Sequence, residues 1–273
     1  MSEFDIPPVA LAPAAPPAAD EPPEFDEFRS DLLVRSRSSA GTRRDPEESD
    51  TGGLTTDAVT LPGYGDHPLH GWFVTPVGEP GTLPGVVELV PPGGLGTARD
   101  HTWPASAGYV HLVVEMRHDG DPQDPYNREI AADAVRAVQE VRSLPGVDPS
   151  RVAVLGRTGA GCAAVAAAGL LQDIACVIAE APFAEPHAAA LRAFARRASS
   201  PVLLGPGAGA PEIFAAWGAH SAQLVAELSG VTPPDVVERV LDESAPATRR
   251  DTYQAWIAGH TELGQVFRPQ VAH

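Results

Sequence analysis

Residues 151–161 read RVAVLGRTGAG, and this stretch decides the fold. It begins with a run of apolar residues, turns through a corner rich in glycine, and continues as CAAVAAAGLL at positions 162–171. The apolar run predicts a buried parallel strand, and the alanine-rich run predicts a helix. The stretch therefore predicts a strand, a tight turn and a helix, a unit at which α/β proteins place ligands and catalytic groups.

One class of site that uses this geometry is the nucleophile elbow of α/β-hydrolases. An elbow has a small residue two positions before the nucleophile and another two positions after it. Gly156, Thr158 and Ala160 occupy these three places, with threonine where serine is usual. The corner is thus compatible with a hydrolase whose nucleophile position holds a β-branched alcohol.

A second class is the dinucleotide-binding unit, in which glycines let a pyrophosphate approach the start of a helix. Gly156, Gly159 and Gly161 form a permuted version of that pattern. Glu180 ends the next predicted strand, near the place expected for an acid that binds a ribose. The residues of the corner by themselves leave both interpretations open.

The composition of the whole chain narrows the classes of function. A chain of 273 residues can bury one substantial core. Its 19 basic residues are all arginine, so there is no lysine for a phosphate-binding loop or a Schiff base. A formal net charge of −17 predicts a surface that repels nucleic acid and anionic membranes. We therefore expect a small molecule or another protein as partner, and no nucleic acid or membrane.

The sequence also carries expectations about location and cysteine chemistry. It contains no run of about 18 apolar residues, and its first residues lack the basic and apolar regions of a secretory signal. We therefore expect a cytoplasmic protein. The two cysteines, Cys162 and Cys176, lie in a predicted helix and strand, which favours reduced, apolar packing over a disulfide.

Four regions follow from the pattern along the chain. Residues 1–23 are rich in proline and alanine and predict an extended arm, and residues 24–55 predict a short amphipathic helix followed by a loop. Residues 56–185 alternate strands and helices after an initial β-hairpin, which predicts a mostly parallel α/β sheet flanked by helices. Residues 186–273 predict a helix-rich part with one short strand at 201–204, in which a hydrolase sheet is degenerate or incomplete.

Several segments of the chain resemble a known family. They are EFDEF at 24–28, HGWFVTP at 70–76, GVVELV at 85–90, WPASAGYVHLVVEMR at 103–117, DAVRAVQEVRSLPGVDPSRVAVLG at 133–156 and EAPF at 180–183. In this order they are similar to the acetyl xylan esterase and cephalosporin C deacetylase family, carbohydrate esterase family seven. The resemblance runs from about residue 4 to about residue 185 and favours the hydrolase interpretation of the corner over the dinucleotide site.

The resemblance implies an α/β-hydrolase that removes acetyl groups from sugars or small molecules through a Ser, His, Asp triad, without a metal or other cofactor. Members usually form cytoplasmic oligomers, so a homo-oligomer is expected. The family's elbow, Gly-x-Ser-Gln-Gly, corresponds to Gly156, Thr158, Gly159 and Ala160, so Thr158 stands at the nucleophile position. The late His-Glu pair of the family has its counterpart in His260, the candidate base.

Other family positions differ. The tyrosine whose backbone N–H helps to bind the oxyanion corresponds to the Pro91-Pro92 pair, and proline has no N–H to donate. We assign Pro92 and Gly159 to the oxyanion region. The Arg-Gly-Gln motif is reduced to Arg117, followed by His118 and Asp119, a second candidate source of a base. Four further histidines show no metal-ligand spacing and are assigned to no site: His101, His111, His187 and His220.

Two functions thus remain open for the chain. One is an O-deacetylase of low activity, with Thr158 as nucleophile. The other is a catalytically silent relative, a pseudoenzyme that acts as a scaffold or binding protein. The threonine matters because an elbow residue adopts a positive φ, a conformation that costs about 1–3 kcal/mol and is especially unfavourable for a β-branched side chain.

Overall fold

The protein is organised around one eight-stranded sheet. The computed structural model describes residues 24–36, 41–47, 52–78, 81–118, 120–121, 123–180, 188–198, 200, 202–204, 254, 257–259 and 261. Within these residues the strands are β1 Arg43–Glu47, β2 Leu54–Pro62, β3 Pro68–Pro76, β4 Leu83–Val90, β5 Val110–Glu115, β6 Val147–Gly156, β7 Cys176–Ala179 and β8 Val202–Leu204. Their order across the sheet is β1-β2-β3-β5-β4-β6-β7-β8.

The sheet has an antiparallel side and a parallel side. Strands β1, β2 and β3 pair antiparallel in succession, and β3 also pairs antiparallel with β5. From β5 through β4, β6 and β7 to β8 every pair is parallel. The carboxyl ends of these five strands therefore meet at one edge, where open α/β sheets hold their sites. The predicted mostly parallel α/β sheet with a hairpin entry is confirmed.

Five α-helices accompany the strands in the described part of the chain. They are α1 Phe25–Arg35, α2 Trp103–Ser106, α3 Arg128–Arg142, α4 Gly161–Leu170 and α5 Ala188–Arg197. Helices α3 and α4 pack against the parallel strands, α5 packs on α4, and α1 lies against α3. Alanine fills most of the buried face of α4, which allows this helix to approach its neighbours closely. Short 3₁₀ turns occur at Tyr64–Asp66, Ala98–His101 and Thr158–Ala160.

Helix α1 is the amphipathic helix predicted near residue 24. Its buried side carries Phe25 and Phe28, which contact Tyr126 and Phe194 in one aromatic cluster. Arg29 extends from the same helix. Its Nε donates to the carbonyl of Leu170, the last residue of α4, at 2.9 Å. Helix α1 thus contacts α5 through the aromatic cluster and α4 through the hydrogen bond of Arg29.

The prediction of a loop after α1, up to residue 55, is wrong in part, because this segment contains the strand β1. This strand, RRDPE, is exposed at all five positions and lacks the alternation of apolar residues by which a strand is recognised. It forms because its backbone pairs with the exposed edge of β2, from Arg43 opposite Thr60 to Glu47 opposite Thr56. Charged side chains and a proline are typical of a strand that ends a sheet and must not pair further.

Beyond residue 185 the structure describes α5, β8 and a few helical residues at 254, 257–259 and 261. Strand β8 confirms the short strand predicted at 201–204 and extends the sheet next to β7. The predicted arm at 1–23, His187, His220, Asp119 and most of the helix-rich part lie outside the described residues. Cys162 and Cys176 are not bonded to each other, as expected. Within the described segments no helix has the length and apolarity to cross a membrane.

Candidate active site

The glycine corner is a strand, turn and helix, as predicted. Strand β6 ends at Gly156, the turn spans Thr158–Ala160, and α4 begins at Gly161. The strands on either side hold this corner in place. The N–H of Arg157 donates to the carbonyl of Leu89 in β4, and the N–H of Glu180 donates to the carbonyl of Gly156, each at 2.8 Å.

Thr158 stands at the tip of the corner. Thr158 is exposed to solvent. Its backbone has a φ of 42°, a left-handed conformation that a β-branched residue rarely adopts. A nucleophile elbow presents its residue on such a sharp, strained turn. No residue in the described segments forms a hydrogen bond with Thr158 Oγ1 in this structure.

Gly156 shows why the corner requires small residues. A Cβ atom at this position would lie 2.6 Å from the carbonyl oxygen of Ala160, 2.8 Å from the Cβ of Ala164 and 2.9 Å from the Cα of Gly161. All three are rigid parts of the turn and of α4. The helix can pack this closely on the end of β6 only because residue 156 has no side chain.

The oxyanion region after β4 is short of donors. Pro91 and Pro92 have no N–H. The N–H of Gly93 donates to a carboxylate oxygen of Glu115, and the N–H of Gly94 donates to the carbonyl of Pro91 at 2.8 Å. The backbone N–H groups of residues 91–94 are thus either absent or occupied. Gly159, directly after the nucleophile position, is exposed in the turn.

Arg157 connects the corner to two acidic residues on neighbouring strands. Its Nε lies 3.0 Å from Oε2 of Glu180, which follows β7, and its Nη1 lies 3.2 Å from Oε1 of Glu88 in β4. The same Oε2 of Glu180 accepts the backbone N–H of Thr158 at 3.2 Å. Glu180, considered from the sequence as an acid for a ribose, is instead bonded to the elbow.

Glu88 is the centre of a buried cluster beneath Arg157. Its side chain is 1% exposed, and Oε2 lies 3.1 Å from Nδ1 of His101 and 3.1 Å from Nε2 of His111. The His101 contact is a hydrogen bond, whereas the N–H direction of His111 is poorly aligned despite its short distance. No group of three or more such side chains in the described part has an arrangement that could hold a metal ion.

The ring nitrogens of His101 and His111 that face away from Glu88 show where the ring hydrogens lie. His101 Nε2 lies 2.8 Å from the carbonyl of Leu95, and His111 Nδ1 lies 2.8 Å from the carbonyl of His101. A carbonyl only accepts, so both of these nitrogens carry hydrogen. The hydrogen of the His101–Glu88 bond therefore lies either on Nδ1 of a charged imidazole or on the carboxyl group of Glu88.

The pKa shifts of Glu88 and His101 agree with a hydrogen bond between them. Burial by itself would raise the pKa of Glu88, but the hydrogen bond from His101, the approach of His111 and their charges hold it well below its usual range. Burial by itself would lower the pKa of His101, but the hydrogen bond to Glu88 and the charge of that carboxylate raise it. The bond between His101 and Glu88 thus favours the carboxylate form of Glu88 and the imidazolium form of His101.

The cluster predicts how stability depends on pH. The depressed pKa of Glu88 contributes stability above its unfolded value of 4.5, and the raised pKa of His101 contributes stability below its unfolded value of 6.5 that is lost as pH rises through the folded pKa. In urea unfolding, His101→Gln should flatten the decline in the free energy of unfolding above pH about 6.5. Exposed His70→Gln is the control, and an unchanged slope in His101→Gln would contradict the ion pair.

Arg117, the retained residue of the family motif, has a structural role. It forms a bidentate pair with Asp133 of α3, with Nε to Oδ2 at 2.6 Å and Nη2 to Oδ1 at 3.1 Å. It also donates to Glu129 and to the carbonyl of Tyr64, and Asp133 accepts the N–H of Tyr64. These bonds join β5, α3 and the turn after β2. His118, the next residue, is exposed.

His260, the candidate base, lies outside the described residues, and its role stays a prediction. Its neighbour Thr261 contacts the opposite end of the sheet from Thr158. The carbonyl of Thr261 accepts from Arg151 Nε at 2.6 Å, and its Oγ1 lies 3.3 Å from the hydroxyl of Tyr109. Arg151 lies in the amino-terminal half of β6, and Tyr109 directly precedes β5.

Sequence reasoning missed the buried cluster, although the signal was present. Glu88 interrupts the apolar run VVELV, and His111 interrupts YVHLVV. A charged or polar residue in a strand that is buried on both faces requires a partner. Strands β4 and β5 are neighbours in the sheet, with Val86 opposite His111. This pairing, which brings the two residues together, is not visible in the sequence.

Comparison with known proteins identifies this architecture. Residues 118–194, which include the elbow, match the family described as acetyl xylan esterase (AXE1). The acetyl xylan esterase from Paenibacillus sp. R4 is 22% identical, with a TM-score of 0.70 over 89% of this chain and 96% of that chain. Acetyl xylan esterase 1 from Thermoanaerobacterium sp. JW/SL YS485 is 18% identical, with a TM-score of 0.62 over 72% of this chain and 84% of that chain.

A more distant likeness points to the same fold. A dienelactone hydrolase-like promiscuous phosphotriesterase from metagenomic libraries is 19% identical, with a TM-score of 0.51 over 78% of this chain and 99% of that chain. No curated protein sequence matches the chain significantly. The sheet order, the sharp corner after β6 and these structures show the α/β-hydrolase fold. The match of residues 118–194 to the acetyl xylan esterase model agrees with the resemblance that the sequence motifs carry.

Proposed function

We propose that the protein is an O-deacetylase of low turnover that hydrolyses acetyl esters of carbohydrates or small molecules, with Thr158 as its nucleophile. The observation that supports this most is the exposure of Thr158 at a φ of 42° on the corner between β6 and α4. This conformation is costly for threonine, and it presents the hydroxyl as an elbow presents its nucleophile. The acetyl xylan esterases among the similar proteins suggest the substrate class.

In the proposed reaction, Thr158 Oγ1 attacks the acetyl carbonyl carbon. The hydroxyl proton passes to a general base and then to the leaving alcohol as its bond to the acetyl carbon breaks. Water then hydrolyses the acetyl-threonine intermediate to acetate. The N–H of Gly159 is the donor for the oxyanion, because at residues 91–94 every backbone N–H is either absent or already bonded.

One observation favours the second candidate, a catalytically silent relative. The Gly93 N–H is bonded to Glu115, and the two residues before it are prolines. Loss of one oxyanion donor typically lowers turnover by about 100- to 1000-fold. A protein with this defect and a threonine nucleophile can retain the fold while the chemistry disappears, and would then act as a scaffold or binding protein.

Substitution of Thr158 separates the two candidates. We expect slow hydrolysis of p-nitrophenyl acetate and of an acetylated sugar by the native protein, and none above background by Thr158→Ala. Thr158→Ser should be about tenfold faster than the native protein, because it removes a methyl group from a strained backbone position worth ~1–3 kcal/mol. The measurements are kcat and KM for both substrates.

Thr55→Ala is the matched control, since Thr55 is an exposed threonine on β2, remote from the elbow. Its kinetics should equal those of the native protein. Hydrolysis that persists in Thr158→Ala would refute the proposed nucleophile. A native protein without activity, with some activity in Thr158→Ser, would instead support the silent relative with a decayed site.

A further inference from the structure

We propose that Glu180 is a positioning residue for Thr158 and acts together with Arg157. This inference rests on the proposed function, because it concerns the same nucleophile. Glu180 is not assigned to contact the acetyl group or the reacting oxygen. Its role is to hold the backbone of residues 157 and 158 in the conformation that presents the Thr158 hydroxyl.

The geometry that supports this role is convergence on a single oxygen. Oε2 of Glu180 accepts from Arg157 Nε at 3.0 Å and from the backbone N of Thr158 at 3.2 Å. The carboxylate is buried, with Glu180 7% exposed. Hydrogen bonds to an ionised acceptor are stronger than neutral ones, and burial strengthens them further. One side chain thus fixes both the residue before the nucleophile and the nucleophile's own amide.

The second support is the anchoring of Arg157 from the other side. Its Nη1 bonds to Glu88, which is held by His101 and His111. Glu88 lies in β4 and Glu180 follows β7, and these two strands flank β6. The guanidinium therefore spans the end of β6 between two buried carboxylates. The corner is therefore held on both sides by ion pairs of Arg157.

The third support is the conformation that is held. A β-branched residue at positive φ relaxes to ordinary backbone geometry unless the surroundings prevent it. The amide of Thr158 would rotate away from Glu180 in such a relaxation, because its N–H direction depends on φ and on the preceding ψ. The bond to Glu180 thus opposes relaxation of the corner.

Amide hydrogen exchange tests the positioning directly. In Glu180→Leu the Thr158 amide should exchange at least about tenfold faster than in the native protein. Glu180→Gln should give an intermediate rate, since its amide oxygen still accepts the N–H but no longer pairs with a charge. Glu140→Gln is the matched control, because Glu140 is also a buried carboxylate with arginine partners, on α3. Exchange of the β6 amides, such as that of Val154, reports whether each variant remains folded.

Covalent labelling links the positioning to nucleophilicity. In the Thr158→Ser background, paraoxon reacts as the introduced hydroxyl forms an Oγ–P bond, p-nitrophenolate leaves with the broken P–O bond, and the hydroxyl proton passes to water. Added Glu180→Leu should slow this labelling by about tenfold to a hundredfold, and Glu180→Gln by less. Added Glu140→Gln should leave the rate unchanged. Mass spectrometry gives the modified residue, and nitrophenolate release gives the rate.

The two readouts distinguish the failure of each proposal. Unchanged Thr158 exchange in a folded Glu180→Leu protein would overturn the positioning role, whatever the activity. Unchanged labelling in the double variant would overturn it as well. Faster exchange in Glu180→Leu, with no labelling of Thr158→Ser, would support Glu180 as the residue that holds the corner and would refute the proposed nucleophile.

Discussion

Asp133→Ala is expected to lower the free energy of unfolding by about 3–5 kcal/mol, the usual cost of removing one partner from a buried ion pair. Asp133 is fully buried, and the Arg117 side chain that it binds is 9% exposed. Without the carboxylate, the guanidinium of Arg117 keeps its charge inside the protein with only Glu129 and the carbonyl of Tyr64 as partners. The N–H of Tyr64 also loses its acceptor.

The pair is ionised in the folded protein. Burial by itself would lower the pKa of Arg117, but its hydrogen bonds with Asp133 and Glu129 and their charges raise it above the ordinary value. Burial raises the pKa of Asp133 more than the pair with Arg117 lowers it. The bidentate geometry nevertheless requires an ionised Asp133, because a neutral aspartic acid would place its hydrogen against a donor of Arg117.

Urea unfolding at neutral pH measures this effect. Asp45→Ala is the control, since Asp45 pairs with Arg43 at the surface, where ion pairs contribute little. A second test replaces both partners, as Arg117→Met with Asp133→Leu, and should recover much of the loss because no charge is left buried. If Asp133→Ala lowered the free energy of unfolding no more than Asp45→Ala does, Arg117 would not stabilise the contact between the end of β5 and α3 as we infer.

Gly156→Ala is expected to destabilise the protein by roughly 3 kcal/mol, the upper part of the usual range for overpacking. The new methyl carbon would lie 2.6–2.9 Å from atoms of Ala160, Ala164 and Gly161. None of them is the end of a flexible side chain, so α4 must move away from β6. The displacement would also shift Thr158, so any esterase activity should fall together with stability.

Gly146→Ala provides the matched control for this change. Gly146 lies in the turn between α3 and β6, and no atom lies within 4 Å of the position that its Cβ would occupy. Thermal and urea unfolding of the two variants should therefore differ clearly. Equal stability of Gly156→Ala and the native protein would show that the corner is looser than its geometry indicates.

The elbow was predictable from local sequence. Gly156, Thr158 and Ala160 have the spacing that an elbow requires, and the apolar run before them and the alanines after them specify a strand and a helix. The same reasoning found the hairpin of β2 and β3 and most of the parallel strands. It failed at β1, because an edge strand is stabilised by backbone pairing and need not bury any side chain.

The surroundings of the elbow were not predictable in this way. The sequence pattern assigns no role to Arg157, and His101 and His111 were assigned to no site. In the structure Arg157 bonds to Glu88 and Glu180, and the histidines bond to or closely approach Glu88. These partners come from different strands and turns, so no spacing along the chain records their contact.

Apart from β1, the sequence by itself determined the order of strands and helices in the sheet, the position of the sharp corner and the threonine at its tip. These features depend on the apolar period and on residue size over a few neighbouring positions. The tertiary structure alone decided which charges meet. Parallel pairing brings β4 and β7 to the two sides of β6, so Glu88 and Glu180 reach Arg157. Buried charges must be paired, and their partners are set by the folding of the whole sheet.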